Sequence, residues 1–258
     1  MSLALMDLPA IGQIHDQFLA LSRVASERFG GALGGKLLLL SGFDPDGIAL
    51  LIGASVAGAA SLCVDADGGR LREGLRGGLC DFLVGNPDES LRILKNEIRR
   101  GRAISVCLEA TPEKCLAEMA ERGVQPDLVA PGDMSEAATI QIFAERGALI
   151  LPRESELQME AALVEWTIGA QAVRGLPRIA QIAADSLDEA RADTAARHHW
   201  LERSPRYLGR TLGARQCVRM TSEESIHFLE RVRAEVPTAS VTHDGTTVVR
   251  IGGQGIFS

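Results

Sequence analysis

The sequence predicts an α/β protein: a doubly wound parallel sheet with a small α+β appendage at its C-terminal end. Three observations predict it. Short apolar runs bounded by turn residues recur through the first half, at 37–40, 61–64, 80–84, 104–108 and 127–130. Amphipathic segments alternate strictly with these runs, and such alternation with short connections calls for parallel strands covered by helices on both faces. Beyond Pro131 the rhythm loosens, and a strand, a helix and a hairpin with Asp244-Gly245 at its turn close the chain.

Taken in order, the first helix is expected over 13–29, with Ile14, Phe18, Leu21 and Val24 on one face and Gly30-Gly31 as its end. Leu37 to Leu40 are four consecutive leucines stopped by Ser41-Gly42, the pattern of a strand buried on both faces. A loop, Phe43-Asp44-Pro45-Asp46-Gly47, leads to a helix over 48–57 and a second buried strand over 61–64 that ends on Asp65. A short polar helix is expected over 67–77 and a third strand over 80–84. Pro87-Asp88-Glu89 opens an amphipathic helix whose last turn carries Arg99 and Arg100, an arrangement that suits the helix dipole. The fourth strand is expected over 104–108, a helix capped by Thr111-Pro112-Glu113 runs to Arg122, and the fifth strand spans 127–130. Helices are then expected over 135–146, 154–173, 186–202 and 222–235, with strand-like runs over 148–151 and 217–220. This organisation places one domain over 1–204 and the α+β appendage over 205–258.

Strand, glycine turn, helix, strand and terminal acid form the opening of a dinucleotide-binding, Rossmann-like βαβ unit. Asp65 lies 23 residues after Gly42, near the usual spacing for a carboxylate that holds ribose hydroxyls. Against G-x-G-x-x-G, the loop keeps the outer glycines, Gly42 and Gly47, but has Asp44 at the middle one, with Pro45 and Asp46 behind it. A phosphate loop works through backbone N–H groups and a helix N-terminus. Asp44 and Asp46 add negative charge there and Pro45 removes a donor, so NAD is expected to bind weakly or not at all. Glu109 and Thr111 follow the fourth strand, where ligands of open α/β sheets bind. The candidate cofactor-binding residues are therefore Gly42, Asp44, Asp46, Gly47, Asp65, Glu109 and Thr111.

Composition excludes several classes. A net charge of −7, with no cluster of basic and aromatic residues, argues against nucleic acid. Five cysteines without C-x-x-C spacing read as reduced, buried thiols. The first residues lack the basic region and cleavage site of a signal peptide, which points to the cytoplasm. The 18 uncharged residues from Gly47 to Val64 reach the lower limit for a membrane span, but their alanines, glycines and serines read better as a helix followed by a strand. GGALGGK is followed by Leu37 and a strand, unlike a P-loop. His198-His199 point roughly 100° apart on a helix, with no partner at helical spacing, so they make no metal site. No hydrolase elbow is present, and no catalytic residue is assigned.

Three segments together resemble the NAD-binding domain of the urocanase (urocanate hydratase) family: FGGALGGKLLLLSG, SLCVDADGGRLREGLRGGLCD and ISVCLEATPEKCLAEMAERGVQPDLV. Asp65, Asp67, Arg70, Arg76, Gly78 and Asp81 stand in register with that family's second strand and following helix. A fainter echo lies in QAVRGLPRI, 171–179. The resemblance implies a Rossmann-like domain, NAD as cofactor, a place in histidine metabolism, and a homodimer or a partner protein as its assembly. Departures accompany it. The family's G-L-G-G-M phosphate loop reads Gly42-Phe43-Asp44-Pro45-Asp46 here, its G-N after the fourth strand is Ala110-Thr111, and its D-Q-T-S-A-H segment is Ala130-Pro131-Gly132-Asp133-Met134-Ser135. Family members are also about twice as long, and segments cupping urocanate or supplying the catalytic cysteine and acid have no counterpart. Two readings stand: a non-catalytic relative that binds a small molecule or nucleotide, or serves as an accessory protein, and an NAD-dependent lyase with a rebuilt site or a partner subunit. A cofactor co-purifying with the protein separates them.

Overall fold

The computed structural model describes residues 7–132, 137–152, 161–168, 176–213, 215–236, 239–244 and 246–251. The chain divides into two compact units, 1–156 and 157–258. The boundary thus falls well before residue 204.

The first unit is built on a six-stranded parallel sheet. Its strands are β1 (Leu37–Ser41), β2 (Ala60–Asp65), β3 (Phe82–Val84), β4 (Ile104–Glu109), β5 (Leu128–Ala130) and β6 (Leu149–Ile150), in the spatial order β3-β4-β2-β1-β5-β6. Helices α1 (Ile11–Arg28), α2 (Pro45–Ala57), α3 (Gly68–Gly77), α4 (Pro87–Arg99), α5 (Pro112–Glu121) and α6 (Ala137–Glu145) alternate with them. The expected strands at the first five apolar runs are all present and neighbouring. β3 is shorter than the run at 80–84, and β4 is inserted between β3 and β2.

Burial follows the pleat. Leu37, Leu39, Leu62, Val64, Val106 and Leu108 point to one face, where Leu94 of α4, Leu116 and Met119 of α5 and Phe143 of α6 cover them. The intervening Leu38, Leu40, Cys63 and Cys107 are equally buried on the other face, the side of α1 and α2. Of the residues expected in the core, Leu38, Leu40, Leu62, Val64 and Val106 are fully buried and Ile104 is half-buried. Two residues far apart in sequence pin the entry to β1. The Asp127 carboxylate accepts from Lys36 Nζ at 3.1 Å and from the Leu37 N–H at 2.9 Å. Lys36 is thereby a strand anchor.

The uncharged run at 47–64 is split between α2 and β2 by Gly58, which takes left-handed backbone as the α2 C-cap. No helix among the described residues is long and apolar enough to cross a membrane. All five cysteines are buried and free.

The second unit is α+β. Strands β7 (Ala162–Ile168), β8 (Arg215–Met220), β9 (Ala239–Asp244) and β10 (Thr246–Ile251) form a sheet in the order β8-β7-β10-β9, with only the β7–β10 pair parallel. Its helices are α7 (Leu176–Ala184), α8 (Thr194–Tyr207), a short α9 (Gly209–Leu212) and α10 (Ser222–Glu235). Two expectations are corrected here. The helix expected over 154–173 contains β7, because Val164 and Trp166 alternate into the core and the strand pairs on both sides. This pairing is also what moves the unit boundary: β7 belongs to the same sheet as the terminal hairpin. The helix expected over 186–202 begins only at Thr194 and carries Pro205 within its last turn. By contrast α10 starts where its capping box, Thr221 with Glu224, says it should, and β9 and β10 form the expected hairpin.

Candidate functional site

From β1 the chain passes to β2 on one side of the sheet, while β5 lies on the other side of β1. This is a topological switch point, and the crevice beyond the carboxyl ends of such strands is where open α/β sheets bind ligands. Gly42 leaves β1 at this point with a positive φ of 87°, and its N–H donates to the Val64 carbonyl at 2.8 Å. A residue with a side chain is strained in that conformation, so Gly42 is required by the turn itself whatever binds there.

The loop that follows is held from within. Asp44 is the N-cap of α2: its carboxylate accepts from the Gly47 N–H at 2.9 Å, and its carbonyl accepts from the Ile48 N–H at 2.8 Å. Pro45 is the first helical residue and brings no N–H. The Asp46 carboxylate accepts a hydrogen bond from the Gln13 amide on α1. Phe43 is fully buried, and its ring lies against Gly74 of α3 so closely that a Cβ there would sit 2.3 Å from it.

Asp65, at the end of β2, is 8% exposed. One carboxylate oxygen accepts from the Phe43 N–H at 2.6 Å and the other from the Asp67 N–H at 2.7 Å. Arg70 approaches the same carboxylate at 3.7 Å. Asp67 caps α3 by accepting from the Arg70 N–H at 3.0 Å. That bond, helped by the Arg70 charge, holds the Asp67 carboxyl below its ordinary 3.8 against the opposing effect of burial.

Glu109 ends β4 and reaches back over the start of α3, where it meets Arg72 at 3.0 Å. A Cβ on Gly68 would fall 2.1 Å from the Glu109 carboxyl carbon, so in this rotamer the carboxylate lies directly over the glycine. Thr111 is exposed and stands at the N-cap of α5 without a side-chain capping bond. Of the seven candidate residues, Gly42, Asp44, Asp46, Gly47 and Asp65 are thus joined in one bonded turn. Glu109 binds the neighbouring helix start, and Thr111 joins neither.

Several residues that matter here carry no motif of their own. Phe43 and Gly74 meet as a side chain and its socket, and Gln13 reaches the loop from α1. Arg70 was marked only by its register with the urocanase pattern. Beneath the loop, the Cys63 thiol donates to the Gly42 carbonyl at 3.7 Å. Hydrogen bonds with Cys63 and Cys80, and burial, hold the Cys107 thiol well above its ordinary range. Burial, then the charge of Glu118, pushes the Cys115 thiol up to about 12.

A family model described as the urocanase Rossmann-like domain matches residues 10–138, half of the chain. The chain belongs to the urocanase family. The match begins at α1 and runs into α6, so it takes in the whole loop–strand arrangement around Gly42 and Asp65. Within that urocanase domain the Lys36–Asp127 anchor and the Asp81–Ser105 pairing at 2.8–2.9 Å are contacts between segments that carry the family resemblance, while the Asp65 tie reaches Phe43 in the loop that departs from it.

Elsewhere, no group of three or more His, Cys, Asp or Glu side chains among the described residues is arranged to hold a metal ion. His198 pairs with Glu189 at 3.0 Å. The second unit has an open cleft of about 710 Å³ lined by Asp185, Asp188, Arg191, Thr221 and Glu224 among others. Three of its charged side chains are paired: Asp185 with Arg231, Arg191 with Asp193, and Glu224 with Arg197.

Proposed function

We propose that this urocanase-family chain is a non-catalytic ligand-binding or accessory protein whose phosphate loop has lost tight NAD binding and which has no urocanate hydratase activity by itself. One observation carries the reading. The Asp44 carboxylate occupies the first turn of α2 and accepts the Gly47 N–H that a pyrophosphate would need. The other side chains of the turn point the same way. Pro45 offers no donor and Asp46 adds a second carboxylate, while Asp65 is committed to the Phe43 and Asp67 N–H groups. The reaction of the family needs an electrophilic nicotinamide, which a turn closed in this way does not retain. Both thiols with a shifted pKa, Cys107 and Cys115, are pushed away from the thiolate, the nucleophilic form.

The ligand the site keeps is a small molecule or nucleotide that makes no demand on the helix N-terminus for a pyrophosphate. Two measurements on the purified full chain test the proposal. Mass spectrometry of the denatured protein should release no NAD. Mixing with urocanate and added NAD should leave the urocanate absorbance unchanged, and a steady loss of that absorbance would overturn the reading.

A further inference from the structure

Trp166 of β7 and Gln216 of β8 stand opposite one another in antiparallel register, so both side chains leave the sheet on the same face. Each is 0% exposed. The Gln216 amide nitrogen donates to the Leu201 carbonyl at 2.8 Å and lies 3.4 Å from Ser204 Oγ. Those bonds fix the sense of the amide, because its oxygen could not donate to a carbonyl. What remains is an acceptor, Gln216 Oε1, and a donor, Trp166 Nε1. Neither has a hydrogen-bond partner among the described residues. The Trp166 ring is held against Phe228, with ring centroids 5.7 Å apart. Trp200 offers a contrast within the same unit: its Nε1–H donates directly to the Cys217 carbonyl at 2.6 Å.

Buried polar groups are almost always satisfied, by protein or by ordered water. We propose that Trp166 and Gln216 hold one internal water molecule, which accepts from Trp166 Nε1–H and donates to Gln216 Oε1. The chemistry of the pair selects water. One donor and one acceptor facing the same layer match the acceptor and donor of a single water, and a buried water typically makes two to four such bonds. Any larger polar ligand would need more partners than this apolar layer supplies, with Val164, Val218 and Phe228 also fully buried. The bridge would join β7 to β8 and, through the Gln216 amide, to α8.

The chain has only two tryptophans, so its indole N–H signals can be told apart. In ¹⁵N-labelled full-length protein, Trp200→Phe leaves the Trp166 signal, and Trp166→Phe leaves the other, which keeps the assignment secure if one variant fails to fold. The expected result is a cross-relaxation peak to water on the Trp166 indole, with the sign of a long-lived bound molecule, and none on Trp200. A Trp166 indole that is protected from exchange but shows no water peak overturns the proposal. So does a crystal structure in which Trp166 Nε1 bonds Gln216 Oε1 directly.

Discussion

Asp65 and Phe43 are joined by a 2.6 Å hydrogen bond from the Phe43 backbone N–H to a carboxylate oxygen. The acid at the end of β2 therefore fastens the turn after β1. The same carboxylate takes the Asp67 N–H at the start of the next helix, so one side chain ties two loops together. Asp65→Ala leaves two backbone donors without this acceptor. Charged hydrogen bonds contribute about 1.5–3 kcal/mol each, and the alanine variant should lose about 3 kcal/mol of stability in urea titration. Asp65→Asn keeps one acceptor and should lose about half as much.

Gly74 is the socket for the Phe43 ring. Gly74→Ala places a methyl group 2.3 Å from ring carbons in a fully buried contact. Overpacking of this kind costs about 1–3 kcal/mol. Adding Phe43→Leu to the alanine variant makes room, so the double variant should recover most of that loss. A thermal melt of the four proteins in the cycle checks the coupling; purely additive effects would contradict the contact.

Much of the first unit was legible because its signals are local. The leucine run at β1 and the aliphatic runs at β2, β4 and β5 have glycine or proline at their edges, and Pro45, Pro87 and Pro112 each stand at a helix start. The second unit was read less well because its decisive contacts are remote. The chain around 162–168 became β7 by pairing with β8 and β10, some fifty and eighty residues on, and no window around Trp166 contains that information. At the site, the spacing of Asp65 from Gly42 was visible but not the direction of its carboxylate. That direction depends on where the Phe43 and Asp67 N–H groups lie in the folded turn. Asp44 is the reverse case: an acid directly before a proline is a local cap pattern, and the side chain caps α2, which begins at Pro45, three residues before the expected helix start at 48.

In the second unit, Arg197 and Glu224 form a buried pair at 2.8 Å, with side chains 1% and 3% exposed. Burial raises the Glu224 carboxyl. Hydrogen bonds from Arg197 and from the Asp188 and Thr221 N–H groups, with the Arg197 charge, outweigh it and leave the group below its ordinary 4.5. A carboxyl depressed in the folded state stabilises it above its unfolded value and loses that contribution as pH falls through the folded one. Stability should therefore drop as pH falls below about 4.5. Removing one partner alone, Glu224→Ala, leaves the buried guanidinium with Asp193, at 3.2 Å, as its remaining acid, and should cost about 3 kcal/mol, the low end for breaking a buried pair. Replacing both, Arg197→Met with Glu224→Met, should be far milder and should flatten the acid limb of the profile. Denaturation midpoints from pH 7 to pH 3 check both statements.

The turn from Gly42 to Gly47 carries the central claim. Two carboxylates near a pyrophosphate, each about 5 Å away at an effective dielectric near 20, repel it by about 3 kcal/mol apiece. Together they nearly cancel a micromolar site, worth about 8 kcal/mol. The triple variant Asp44→Gly, Pro45→Gly, Asp46→Gly removes both charges and restores a donor. It should bind NAD measurably, while Asp65 stays bonded to the Phe43 and Asp67 N–H groups. Calorimetric titration of the unaltered chain with NAD, without and with Mg²⁺, is the most direct test. The account predicts no resolvable binding heat without the metal, and tight binding in its absence would contradict it.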